Sequence, residues 1–180
     1  RSVRTADAAT SRLGVVNTVF ARDGELWGTS TDGEGFLASL TAGHPGWRAK
    51  DQTVVILGAG GATRALVGAL IDAGATRLLI ANRTRAKAEE LQRDFGPKVE
   101  PRDWTEAAEL LRHADLLINT TSLGMTGQQP LDVALDNLPK SALVTDIVYT
   151  PLETGLLQRA KARGNAIVPG LGMLLHQAVR

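Results

Sequence analysis

The chain contains no cysteine, so it has neither a disulfide framework nor a thiolate metal site. It has no run of about 18 apolar residues, the length that a membrane-spanning helix needs. Its three histidines, His44, His113 and His176, are scattered without the paired spacing of a metal-dependent hydrolase, and each reads as surface or structural. Aromatic residues make up only 4%, so the core must be mostly aliphatic. Neither sign of charge dominates: 20 Lys+Arg against 19 Asp+Glu leave a formal net charge of +1. Binding to a nucleic-acid polymer usually requires a basic face, and this balance argues against one. No internal repeat and no low-complexity tract is present. Arg1 to Arg12 are polar and lack the apolar stretch of a secretory signal. Asp7 and the missing Met make a mitochondrial presequence a poor reading.

What is present suffices for a core. The 180 residues are 43% hydrophobic and 22% charged, which allows one domain, or one domain plus a piece of another. In the first part, Val15-Val16 and Val19-Phe20 precede Leu26-Trp27, with Asp23-Gly24 between them as a hairpin turn signal. A helical pattern begins at Asp32 and runs through Phe36, Leu37 and Leu40. Thr41 to Gln52, with Gly43, Pro45 and Gly46, reads as a loop between two bodies. Apolar runs then alternate with helical stretches. Strands are predicted at Thr53–Leu57, Arg77–Ala81, Leu116–Asn119, Leu143–Ile147 and Ala166–Val168. Helices are predicted at Ala62–Ala73, Arg85–Phe95, Leu152–Arg163 and Met173–Val179. The strands are continuous apolar runs, which suits parallel strands covered on both faces of a doubly wound α/β sheet.

One strand, Thr53–Leu57, runs directly into Gly58-Ala59-Gly60-Gly61-Ala62-Thr63. Gly58 permits a tight turn and Gly60 a close backbone approach. The free N–H groups of the following helix, with its dipole, suit a pyrophosphate. The third glycine of the usual pattern falls at Thr63, so the motif is a variant with Gly61 and Ala62 as small neighbours. The alternative is a glycine-capped turn with no ligand. The next apolar strand ends in Asn82-Arg83-Thr84, with no acid before Glu89. An NAD site usually places Asp or Glu there, whereas Arg83, Thr84 and Lys87 offer donors for the 2′-phosphate of NADP. The alternative is an ordinary helix start capped by Asn82 or Thr84.

Three further clusters show no obvious structural duty. They are Val16-Asn17-Thr18, Thr31-Asp32-Gly33-Glu34-Gly35-Phe36, and Gly170 to Gln177. Asn17 lies in an apolar run, where a buried amide needs partners. Asp32 stands at a helix start and reads equally as an N-cap. Met173 and Gln177 share a helix face that points to a cleft or a core. A cleft suits Gln177 better, because a buried amide is costly unless paired. Thr120-Thr121-Ser122 follows a central strand at the carboxyl edge, a place for a nicotinamide-side contact. Asp146 ends a strand, to cap a loop or reach the cleft. Trp47 and Trp104 read as packing anchors.

In order, Asn17-Thr18, Thr31-Asp32-Gly33-x-Gly-Phe, Gly58-x-Gly-Gly-Ala, Asn82-Arg83-Thr84, Asn119-x-Thr-Ser and Gly170-Leu-Gly-Met-Leu…Gln177 resemble the motifs of the shikimate dehydrogenase family. The resemblance covers nearly the whole chain. It implies a Rossmann-like NADP-binding domain (53–180), a linker (41–52) and the remnant of an N-terminal α/β substrate domain (1–40). It implies NADPH-dependent reduction of 3-dehydroshikimate to shikimate in aromatic amino-acid biosynthesis, by a cytoplasmic monomer or homodimer with a small-molecule substrate. It assigns Asn17, Asp32 and Gln177 to the substrate hydroxyls, and Tyr149 to the neighbourhood of nicotinamide and substrate. It assigns Asn82, Arg83 and Thr84 to the 2′-phosphate, with Gly170, Met173 and Ile147 beside the nicotinamide. The family pairs the Asp at Asp32 with a Lys from an upstream Ser-Lys-Thr-like segment. That segment is absent here, and the five lysines all lie downstream of Asp32. The expectation is therefore a truncated form that binds NADPH with little activity alone. A quinate/shikimate dehydrogenase of broader specificity and a non-catalytic NADP-binding module are the alternatives.

Overall fold

Strands that are apolar on both faces need cover on both faces, and the chain supplies it between them. The computed structural model describes residues 3–178. First come β1 (Arg4–Thr5), α1 (Ala8–Leu13), β2 (Thr18–Arg22), β3 (Glu25–Thr29) and α2 (Asp32–Gly43). Next come β4 (Thr53–Leu57), α3 (Gly61–Asp72), β5 (Arg77–Asn82), α4 (Arg85–Phe95) and β6 (Val99–Asp103). Then follow α5 (Ala107–Leu110, flanked by two 3₁₀ turns), β7 (Leu116–Asn119), β8 (Leu143–Asp146), α6 (Gly155–Ala162), β9 (Ile167–Val168) and α7 (Leu171–Ala178).

Strands β4 to β9 form one sheet in the order β6-β5-β4-β7-β8-β9, and every pair is parallel. Numbered from β4, that is the order 3-2-1-4-5-6 of a doubly wound α/β fold. The direction of winding reverses between β4 and β7, so the carboxyl ends of these two strands border the crevice where ligands sit in such sheets. Successive strand residues face opposite ways. Val54 and Ile56 join Leu66, Leu70 and Leu91 in one core, while Val55 and Leu57 join Leu110, Leu111, Leu156 and Leu157 in the other.

The first part of the chain builds a separate three-stranded sheet, β1-β3-β2, whose last two strands are an antiparallel hairpin. Asp23 and Gly24 form its turn with positive φ of 53° and 76°, the turn that the twist of the strands favours. Helix α2 leaves this sheet and packs on the larger one, with Phe36 and Leu40 fully inside its first core beside Met173 of α7.

Several boundaries differ from expectation. The helix that starts at Asp32 continues to Gly43, so Thr41 to Gly43 are its last turn and the loop begins at His44. Leu152–Glu153 stay outside α6, because Thr154 caps it by accepting a bond from the Leu157 N–H. Val15 and Val16 precede β2 rather than belonging to it. The last predicted helix begins earlier, at Leu171, and its expected end at Val179 lies outside the described residues. Strand β6 and the turns around α5 carry no sequence pattern of their own. Val-Glu-Pro-Arg-Asp reads as polar, and its Pro101 is tolerated because β6 is an edge strand. Trp47 and Trp104 do pack against the two cores.

Candidate functional site

The turn after β4 is held by hydroxyls. The Gly58 N–H donates to the Ala81 carbonyl at 2.9 Å, and Gly58 has φ of 112°, a left-handed value that favours glycine. A Cβ there would stand 2.6 Å from Thr120 Oγ1. Thr63, at the expected third glycine, is fully buried. Its hydroxyl lies 2.8 Å from the Thr120 hydroxyl and accepts the Gly60 N–H at 3.1 Å. The departure from the usual motif is therefore a brace across the crevice. Gly60 and Gly61 behave differently: a Cβ on either would meet nothing within 4 Å. No atom of the described residues requires glycine there, so the space in front of the α3 N-terminus is open to a ligand. The N–H groups of Gly61 and Ala62, in the first turn, have no acceptor within the helix.

At the end of β5, Asn82 donates to the Thr84 carbonyl at 2.8 Å and shapes the turn into α4. Thr84 is the N-cap residue of α4, yet its side chain makes no capping bond and stays available. Arg83 and Lys87 are exposed and have no carboxylate partner among the described residues. Arg85, beside them, is bound by Asp103 at 2.8 Å and Glu89 at 3.1 Å. This edge thus holds two uncommitted cations next to the glycine turn and no acid at the strand end.

The second group gathers far from itself in sequence. Asn17, just before β2, donates through Nδ2 to Asp32 Oδ1 at 2.6 Å and to Gln177 Oε1 at 3.4 Å. Its Oδ1 accepts the Thr31 N–H at 3.0 Å. Asn17 is exposed, so the expectation of a buried amide is corrected: it is partnered because it belongs to a cluster. Thr31 is the N-cap position of α2, and Asp32 is its first helical residue, so Asp32 does not cap the helix. Burial pushes the Asp32 carboxyl above its ordinary range, and the bond from Asn17 partly offsets this. Asp32 has no cationic partner among the described residues.

Glycines bring the trio together. A Cβ on Gly35 would lie 2.9 Å from the Gln177 backbone, and one on Gly33 2.8 Å from the Ala65 carbonyl. Helix α2 can therefore press against α7 and α3 at once. The cluster Thr31 to Phe36 has this structural duty, which sequence reading did not find. Thr31 and Gln177 also line a cleft of about 1030 Å³ between the small sheet and α2 and α3. Neither the loop glycines nor Arg83 reach it.

The ends of β7 and β8 and the first turn of α7 hold the remaining expected residues. Thr121 is committed, since its N–H and hydroxyl both donate to Asn119 Oδ1, at 3.0 and 2.7 Å. Ile147 is partly buried against the first core, and Met173 is buried in it. Met173 thus takes the core side of the two readings offered by the helix face. Gly170 is sterically required, because a Cβ would stand 2.5 Å from the Asp146 carbonyl. Tyr149 is 45% exposed beyond β8 and makes no hydrogen bond among the described residues. No metal-ligand cluster exists among the described residues, and no helix is long and apolar enough to cross a membrane.

The model of the shikimate / quinate 5-dehydrogenase family matches residues 40–149. The chain is 52% identical to a shikimate dehydrogenase (NADP(+)) of Dinoroseobacter shibae, over 99% of its own length and 66% of that relative. It is similar to the solved shikimate 5-dehydrogenase of Thermus thermophilus in complex with NADP(H) and shikimate. There the TM-score is 0.83 and the identity 36%, over 97% of this chain and 63% of that one. It is also similar to the quinate dehydrogenase of Corynebacterium glutamicum in complex with NAD. That match has a TM-score of 0.88 and 32% identity, over 98% of this chain and 64% of the other. The chain spans less than two thirds of the length of these relatives.

Proposed function

The chain belongs to the shikimate / quinate 5-dehydrogenase family, and from that premise we propose that it is the NADP-binding portion of an NADP-dependent shikimate dehydrogenase. The reaction is the reduction of 3-dehydroshikimate to shikimate. The single observation that carries the cofactor choice is the end of β5. Arg83 and Lys87 stand there without carboxylate partners, Thr84 keeps a free hydroxyl, and no acid is available for a ribose 2′-OH. A guanidinium suits a phosphate bidentately, and such charge-assisted bonds are worth about 1.5–3 kcal/mol.

When bound, NADPH supplies the hydride. Gly58 shapes the tight turn, Gly60 and Gly61 leave open space, and the N–H groups of Gly61 and Ala62, which have no acceptor within the helix, face that space for the pyrophosphate. Asn82, through its bond to Thr84, shapes the 2′-phosphate pocket of Arg83, Thr84 and Lys87. Thr121, Ile147 and Gly170 form the wall on the nicotinamide side, with Met173 packed behind it in the first core and Tyr149 at the mouth. Asn17, Asp32 and Gln177 display two amides and a carboxylate that now satisfy one another. A hydroxyl entering among them finds donors and acceptors together, which suits a substrate with several hydroxyls. Asp32, whose charged form burial disfavours, is placed to share a proton with the substrate oxygen. A lysine beside it would complete the pair, and the described residues place none there. The division of the chain follows: the part up to α2 serves the substrate side, with α2 itself shared as far as Gly43, the loop from His44 to Gln52 links, and 53–180 carry the dinucleotide.

Calorimetric titration tests this reading. NADPH is expected to bind at least about 10-fold more tightly than NADH. Arg83→Ala should weaken NADPH by about 10–100-fold, the equivalent of the bond energy above, and leave NADH within twofold. Equal affinity for the two in the unaltered chain would overturn the assignment.

A further inference from the structure

Asp146 is fully buried, at 0% exposure, and has no cation beside it among the described residues. An isolated carboxylate in such a place is costly, so its surroundings must explain why it is there. Three donors reach it from three separate elements. Asn119 Nδ2, at the end of β7, donates to Oδ1 at 2.9 Å. The Val148 N–H, just beyond β8, donates to the same oxygen at 3.0 Å. The Thr154 hydroxyl, at the N-cap of α6, donates to Oδ2 at 2.7 Å. Burial raises the carboxyl's pKa while these three bonds act in the opposite direction.

What the carboxylate fixes is the orientation of an amide. With Nδ2 bound to Asp146 and to the Leu123 carbonyl, Asn119 must point Oδ1 the other way. There it accepts both the N–H and the hydroxyl of Thr121, and the Thr121 hydroxyl in turn accepts the Leu123 N–H at 3.1 Å. The turn after β7 is thereby locked. That turn faces the glycine turn across the switch point, with Thr120 bonded to Thr63 and Thr121 Cγ2 3.0 Å from where a Gly58 Cβ would be. The backbone of Asp146 and Ile147 also forms the surface on which Gly170 rests, and Gly170 starts the helix that carries Gln177.

We propose that Asp146 is a positioning residue: through Asn119 it sets the wall of the dinucleotide crevice opposite the glycine turn, without touching the ligand. The proposal rests on the reading of that crevice as an NADPH site. Thr154 is its internal control, because its bond to the carboxylate serves the cap of α6 and not the crevice wall.

The test uses the whole chain, with NADPH affinity and backbone amide exchange as readouts. Asp146→Asn turns an NH2 group toward donors, and it is expected to weaken NADPH about 10-fold and speed exchange at Thr121 and Leu123. Asn119→Ser cuts the same path while leaving Asp146 its other two donors, and the same loss is expected if Asp146→Asn fails to fold. Thr154→Val is expected to lower stability and keep NADPH affinity within twofold. The exchanged pair Asn119→Asp/Asp146→Asn restores an amide-to-carboxylate bond and should recover part of the affinity. Normal NADPH binding in both Asp146→Asn and Asn119→Ser would overturn the positioning role alone. Failure of the unaltered chain to bind NADPH would overturn the underlying reading, and the positioning role with it.

Discussion

The two sheets of this molecule are held in opposite ways. In the six-stranded sheet every residue from Val54 to Leu57 and from Leu78 to Ala81 is at 0% exposure, with aliphatic cover on both sides. In the three-stranded sheet all five residues of β2 are exposed, Val19 at 52% and Phe20 at 40%. The large sheet is a platform in its own right. The small one leans on its neighbours, through Leu13 and through α2. The trio of Asn17, Asp32 and Gln177 sits between them, and helix packing holds it rather than the small sheet's own core. Asn17 keeps its place through Thr31, Asp32 and Gln177, all on or beside the helices that cover the large sheet. Precision in the trio is therefore inherited from the platform.

The largest effect should come from the platform itself. Ile56→Ala removes a fully buried side chain between α3 and the centre of the sheet. It is expected to cost about 2–5 kcal/mol of stability by denaturant unfolding, from lost transfer energy and the cavity left behind. A loss below about 1 kcal/mol would mean that the sheet is not the stabilising body.

Next comes the coupling between platform and trio. Gly35→Ala drives a methyl group to 2.9 Å from the Gln177 backbone, and overpacking of this kind costs about 1–3 kcal/mol. The expected signature is a changed side-chain amide resonance of Gln177, with the β2–β3 hairpin resonances unchanged. Unmoved Gln177 signals would break the link drawn between α2 packing and the trio.

A smaller effect is expected from pH. The folded pKa of Asp32 is raised, first by burial, with the Asn17 bond opposing. The folded state therefore holds the Asp32 proton more tightly than the unfolded chain does. Its contribution favours folding below the ordinary carboxylate range and is lost as pH rises through that range toward the folded value. Asp32→Asn removes this dependence. The stability of the unaltered chain relative to Asp32→Asn should fall as pH rises across that window and level off above it. A rise over the same window would reverse the assignment of burial as the dominant cause.

The smallest effect belongs to the exposed sheet. Phe20→Ser, on a strand whose five residues are all exposed, is expected to cost about 1 kcal/mol or less. A loss comparable to that of Ile56→Ala would erase the contrast between the two sheets.

The same contrast governs what the sequence makes legible. Strands of the platform announce themselves as apolar runs, and Thr53–Leu57 and Leu116–Asn119 are found at their true limits because burial on both faces keeps Val54–Leu57 and Leu116–Ile118 wholly aliphatic, with polar residues only at one end. β6 escapes notice because an edge strand tolerates Glu100, Pro101 and Arg102. The glycine turn and the cations after β5 are local in sequence, so their juxtaposition is readable from spacing. The duties of Thr63 and Asp146 are not. One braces the turn against a residue 57 positions away, and the other gathers donors from positions 119, 148 and 154. Gly33 and Gly35 likewise show their purpose only when α3 and α7 are in place.

The most direct test of the central claim is a two-dimensional amide spectrum of the chain titrated with NADPH and then with shikimate. NADPH is expected to move the resonances of Gly58, Gly60, Gly61, Ala62, Arg83 and Thr84 and to leave Val19 and Phe20 in place. Shikimate is expected to move the side-chain amides of Asn17 and Gln177. Shifts confined to the hairpin, or a glycine turn indifferent to NADPH, would contradict the account.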